Sequence, residues 1–172
     1  MKKSQLVTSF AAACSMLFAG GAALAADLSR SDASFIKSAY QDGLGEVKLG
    51  EMGQSKTANA DVKAFASQMV TDHTAANTEL KGLADSKKVD LPSDPTLVEQ
   101  GKEKLLDAKT GADFDKAFAD KMVSDHKSAV SAFEKAASEA KDTDVKNLAA
   151  KILPTLKSHL SMAESLKNKV GK

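Results

Sequence analysis

The chain has 172 residues, enough for one domain with a well-formed core, and nothing in its composition divides it in two. Its 24 Lys and Arg nearly balance its 23 Asp and Glu, and only 5% of residues are aromatic, so the basic, aromatic-interleaved face of a nucleic-acid binder is missing. The one cysteine is Cys14, close to the N-terminus, which excludes disulfides, thiolate metal sites and cysteine nucleophiles from everything after it.

The chain opens with an export signal. Lys2 and Lys3 precede an apolar run from Leu6 to Leu24, and Ala23-Leu24-Ala25 forms a small-residue cleavage site before Ala26. The expectation is a signal peptide over residues 1–25, a single mature domain over 26–172 and residence in the periplasm. Two alternatives stand beside it: peripheral association with the outer membrane, and a lipid anchor on Cys14. The second lacks the usual bulky aliphatic residue, because Ala11-Ala12-Ala13 precede that cysteine. No later stretch is apolar enough to span a bilayer.

Beyond the signal, Gly and Pro are scarce and apolar residues recur at alternating spacings of three and four, which supports helix alone. A first helix is expected over 31–52, with Ser31 as N-cap and one face of small residues, Ala39, Gly43, Gly50 and Gly53. The second covers 59–88 on the seam Val62, Ala66, Met69, His73, Ala76 and Leu80, and is stopped by the segment holding Pro92 and Pro95. A short amphipathic helix over 95–108 follows. Thr110 with Asp113 has the form of a capping box and opens a third long helix on the seam Ala119, Met122, His126, Ala129 and Phe133. Asp142 opens a fourth, on Val145, Ala149, Ile152, Leu156, His159 and Ala163, with Pro154 expected to bend it.

Segments 65–73 and 118–126 match in six of nine positions, so the second and third long helices are structurally equivalent. Short links make the first and second, and the third and fourth, antiparallel pairs. The connection between the second and third, about 21 residues, is long enough to run the length of the bundle and leave those two parallel. The prediction is an all-α, ferritin-like four-helix bundle with a long crossover that contains a short helix.

All three histidines, His73, His126 and His159, fall at seam positions near the middle of long helices, where residues on different helices share a depth. Glu46 lies mid-way along the first helix on its small-residue face. Three neutral imidazoles and a carboxylate make a complete ligand set for one transition-metal ion, copper, zinc or iron. Met69 and Met122 stand four residues before their histidines and Met162 three after His159, a thioether layer that would suit Cu(I). Asp72 and Asp125, each next to a histidine in sequence, are candidates to orient an imidazole of a neighbouring helix. Seam histidines are also ordinary core residues and Met is ordinary core filler, so a bundle without metal is the competing reading.

The motifs Phe65-x3-Met69-Val70-x-Asp72-His73, Gly111-Ala112-Asp113-Phe114-Asp115 with Met122-Val123-x-Asp125-His126, and Leu153-Pro154-x-Leu156-x2-His159-Leu160 occur in that order. Together they resemble the exported bacterial family called domain of unknown function 4142, whose members are often labelled outer membrane proteins. The resemblance implies a ferritin-like bundle and assigns no activity. The alternating strands of a membrane barrel are not in this sequence. Di-iron bundles carry Glu-x-x-His on two helices, whereas Val70, Val123 and Leu156 stand three before the histidines here, so a two-iron centre is not expected.

The leading expectation is therefore a periplasmic protein that sequesters one metal ion or protects against stress, without catalytic residues. The alternative is a non-enzymatic structural or interaction protein of the cell envelope with core histidines and no metal. An oxidoreductase at a mononuclear metal ranks last, since four protein ligands would leave no open position. Nucleic acid is not an expected partner and no membrane span is expected; a protein partner and peripheral association with the envelope stay open.

Overall fold

The computed structural model describes residues 28–171. The expected signal peptide and Cys14 lie outside the described residues. Five helices follow in order: α1 (Arg30–Lys56), α2 (Ala60–Lys87), α3 (Leu97–Asp107), α4 (Gly111–Glu139) and α5 (Thr143–Val170). The four long ones form the bundle, and α3 is the short helix of the crossover.

Helix starts are set by side chains that accept the otherwise unpaired first N–H groups. Asn59 accepts from the amides of Asp61 and Val62, Thr96 from Glu99, and Asp142 from Asp144 and Val145. The first helix begins earlier than its sequence suggests, because Ser29 and not Ser31 is the cap, its hydroxyl accepting from the Asp32 amide at 3.1 Å. Asp32 is thereby left to reach across the bundle, where its Oδ2 accepts from the backbone of Lys141 and Asp142 at 3.1 and 2.9 Å. The capping box expected at Thr110 does not form: Thr110 makes no side-chain cap bond, and Gly111 enters α4 at a φ of +56° that favours glycine. Pro154 sits inside α5, which continues through it from Thr143 to Val170.

Three apolar clusters stacked along the bundle give the helix directions. At one end Leu49 of α1 meets Phe65 and Met69 of α2, Phe114, Phe118 and Met122 of α4, and Leu166 of α5. At the other end Ile36 meets Ala84, Ala140 and Val145. The end of α1, the starts of α2 and α4 and the end of α5 thus lie together, so α2 and α4 run parallel and α1 and α5 run the opposite way. This is the predicted topology with one long crossover. Helix α3 rests on α1 and α4 and buries only Leu106, with Leu97, Val98 and Leu105 exposed. Among the described residues no helix is long and apolar enough to cross a membrane.

The small face of α1 has a steric reason. A Cβ on Gly50 would lie 2.9 Å from the Ala66 carbonyl oxygen and 2.7 Å from Val70 Cγ2, and one on Gly53 would lie 2.8 Å from Ala66 Cβ. Backbone oxygen cannot step aside as a flexible side-chain end can. Gly50→Val is therefore expected to lower the free energy of unfolding by about 1–3 kcal/mol through overpacking, although it removes a helix-interior glycine. Urea unfolding followed by circular dichroism measures this, and an unchanged midpoint would show that α1 and α2 separate freely.

Candidate metal centre

Parallel α2 and α4 carry the repeated Met-Val-x-Asp-His segment to the same depth, and α5 brings His159 to that level from the other direction. One ring nitrogen from each of His73, His126 and His159 lies within 4.8 Å of the other two. The ring centroids are 5.3–5.5 Å apart, and all three side chains are buried, His126 and His159 to 1% exposure.

Hydrogen bonds fix which nitrogens are free. His126 Nδ1 lies 2.9 Å from the Met122 carbonyl oxygen, which can only accept, so Nδ1 carries the proton and Nε2 keeps its lone pair. His159 Nε2 lies 2.8 Å from Asp72 Oδ2 and donates to it, so in a neutral ring Nδ1 holds the lone pair. That Nδ1 is sealed from solvent and has no partner. Gln68 Nε2 donates to the same Asp72 oxygen at 2.7 Å and steadies it from one turn away. His73 Nε2 approaches His126 Nε2 at 3.4 Å. This separation fits a long imidazole–imidazole hydrogen bond, and it also matches the edge of a tetrahedron with bonds of about 2.05 Å.

Burial, aided by the neighbouring imidazoles His126 and His159, pushes the His73 pKa down to about 3 against the opposing pull of Asp72. Burial likewise lowers His126 to about 4, the Met122 carbonyl opposing and His159 assisting. Both rings are therefore neutral at physiological pH, the form that binds metal. Slight burial raises the Asp72 carboxyl, but hydrogen bonds from Gln68 and His159 outweigh it and hold the group below its usual range.

The other predicted site residues are placed differently. Glu46 is buried but is not among the clustered donors: its Oε1 lies 4.0 Å from His126 Nδ1, the nitrogen already used by the Met122 carbonyl. Its Oε2 is sealed without a partner, and burial, with Asp125 nearby, raises its pKa well above the usual value. Met69 and Met122 are fully buried in the apolar cluster at the α2 and α4 starts. Met162 is 38% exposed in a surface groove with Ala64, Phe65 and Gln68, so the expected three-methionine layer is not formed. The reason is helical register, since Met162 stands about 100° from its seam neighbour Ala163. Of the two aspartates, only Asp72 meets a histidine. Asp125 pairs with Lys121 one turn earlier at 2.8 Å, and Lys121 also pairs with Glu99 of the crossover helix. Two contributors were not anticipated: Gln68, and Asn77, buried one turn beyond His73 with an unpartnered Oδ1 against Gly43. Their positions four residues from Asp72 and His73 were the available signal.

The bundle shares its fold with several solved proteins. A DUF305 fragment from Deinococcus radiodurans superimposes with a TM-score of 0.73 at 14% identity, covering 83% of this chain and 98% of that one. A secreted DUF305 protein from Streptomyces coelicolor gives 0.69 at 16%, covering 82% and 94%. CopM in its Cu(II)-bound form gives 0.68 at 17%, covering 80% and 96%, and CopM structures with Cu(I) and with silver are similar in the same way. No curated protein matches the chain by sequence. The family described as domain of unknown function DUF4142 matches residues 18–166, across all four bundle helices and the histidine cluster, and the chain belongs to that family.

Proposed function

We propose that this is an exported, periplasmic bundle protein that sequesters one transition-metal ion through His73, His126 and His159. The observation that carries the reading is the convergence of three buried imidazoles, two of them neutral at physiological pH and the third with a sealed ring nitrogen that has no hydrogen-bond partner. A buried acceptor without a donor is costly, and a bound cation would satisfy it. Three imidazoles suit copper, zinc or iron. Copper is placed first because the similarly folded CopM was solved with Cu(I), Cu(II) and silver. Asp72 and the Met122 carbonyl would orient the ligating rings. The role is storage or protection against metal stress, with no catalytic residue assigned. One observation favours the competing structural reading: the 3.4 Å approach of His73 and His126 also satisfies a metal-free core.

Metal content decides between them. Untagged protein exported to the periplasm and purified should carry close to one metal ion per chain by mass spectrometry. The His73→Ala, His126→Ala, His159→Ala variant should stay helical and carry none. Equal, negligible content in both, with no uptake on titration, would leave three core histidines and no site.

Asp72→Asn is expected to weaken binding about 10–100-fold, since the amide orients His159 less well and removes a negative charge. Competition with a chelator of known affinity measures this, and unchanged affinity would contradict the role given to Asp72.

In metal-free protein His73 and His126 set a pH dependence. Their folded pKa values lie below the unfolded value of about 6.5, so their stabilising contribution is full above that pH and lost as pH falls. The loss levels off near pH 4 for His126 and pH 3 for His73. Carboxyls with raised pKa values, Glu46, Asp42 and Asp125, act in the opposite direction, so the comparison is with a His73→Gln, His126→Gln variant. Between pH 6.5 and 4 the parent should lose up to about 1.4 kcal/mol per pH unit per histidine relative to that variant. Parallel curves would show that the imidazoles titrate freely in the folded state.

A further inference from the structure

Three clustered nitrogens do not complete the shell of a transition-metal ion, and sites with three protein ligands keep a position for an outside one. A cavity of about 250 Å³ reaches this cluster and is lined by His73 and His159. His126 is not in its lining. Exposed Ser38 and Asp42 of α1 and Ser128 and Ala132 of α4 also line it, which puts its mouth between those two helices. The inner walls are apolar, with Leu80, Leu156 and an edge-to-face pair of Phe35 and Phe133 at 5.0 Å. Five carboxyl-bearing residues also line it, Asp42, Glu46, Asp72, Glu99 and Asp125, against Lys102, and of these Glu99 and Asp125 are paired with Lys121.

Each feature selects for a property of the ligand. The volume lies below the roughly 300–1,000 Å³ of sites for drug-sized molecules, so the occupant is small. Acidic lining disfavours an anion. Apolar and aromatic walls favour a flat ring over a strongly hydrated group. Alkylamines, with pKa values of about 10, are protonated at neutral pH and hold no lone pair for a metal, whereas imidazoles, near 6.5, are largely neutral.

We infer that a metal ion at His73, His126 and His159 takes a small neutral heteroaromatic nitrogen donor of the imidazole class as its outside ligand, bound in this cavity. The inference rests on the metal reading above and replaces the closed site, with Glu46 as fourth ligand, that the sequence suggests.

The test uses the mature protein loaded with one equivalent of Cu(II), desalted, and titrated separately with imidazole and azide, followed by visible absorption and electron paramagnetic resonance. Imidazole should give a saturable spectral change with copper retained on a second desalting. Asp42→Asn with Asp125→Asn should raise the affinity for azide relative to imidazole about tenfold or more, because two like charges leave the cavity lining. Ala129→Phe, which fills the cavity from α4, should abolish the imidazole response while copper stoichiometry and helicity hold. Ala76→Leu repeats that test from α2 if the larger ring disturbs the bundle. Copper that binds but ignores saturating imidazole, or a response that survives a filled cavity, overturns this inference and leaves sequestration standing. Failure of copper to bind at all overturns both.

Discussion

The structure depends on keeping three buried imidazoles together at one depth of the bundle. Each ring brings two nitrogens, and a buried polar atom without a partner costs about 1–3 kcal/mol. The protein answers with one fixed acceptor for two of the rings: the Met122 carbonyl for His126 and the Asp72 carboxylate for His159. Those bonds fix the orientation of both rings and occupy one nitrogen of each. His159 Nδ1 is buried and left unsatisfied, which separates this cluster from an ordinary hydrogen-bonded core.

The long crossover makes that geometry available. An up-down-up-down bundle would set α2 and α4 antiparallel and invert the repeated segment on one of them. With α2 and α4 parallel, the two Met-Val-x-Asp-His segments point the same way, so both methionines enter the same apolar cluster and both histidines stand beyond it. Close approach of α1 to α2 over Gly50 and Gly53 and the bridge from Asp32 to the α4–α5 link hold the helices in that arrangement. The equivalence stops at the aspartates. Asp72 faces α5 and its histidine, while Asp125 faces the Lys121 that ties down the crossover helix.

Helix number, topology and the meeting of the histidines were legible because they follow from hydrophobic period and connection length, which are properties of the chain alone. The placement of Glu46 was not. Its depth is readable, but whether it faces His126 Nε2 or Nδ1 depends on the rotation of α1 about its axis, which the glycine contacts set. Met162 failed for a related reason: a spacing of three from His159 gives the right depth and the wrong azimuth. Thr110 and Ser31 show that cap residues are recognisable in type before they are recognisable in position, because a neighbouring serine or a left-handed glycine decides which one is used. The cavity had no sequence signal, being the space left where α1 and α4 do not close on each other.

The central claim, that three imidazoles and no thioether hold the ion, is tested most directly by X-ray absorption at the metal edge of the loaded protein. The account predicts a shell of nitrogen at about 2.0 Å with the outer-atom scattering of three imidazole rings. A sulfur shell at about 2.3 Å, or light-atom ligands without imidazole scattering, would contradict it.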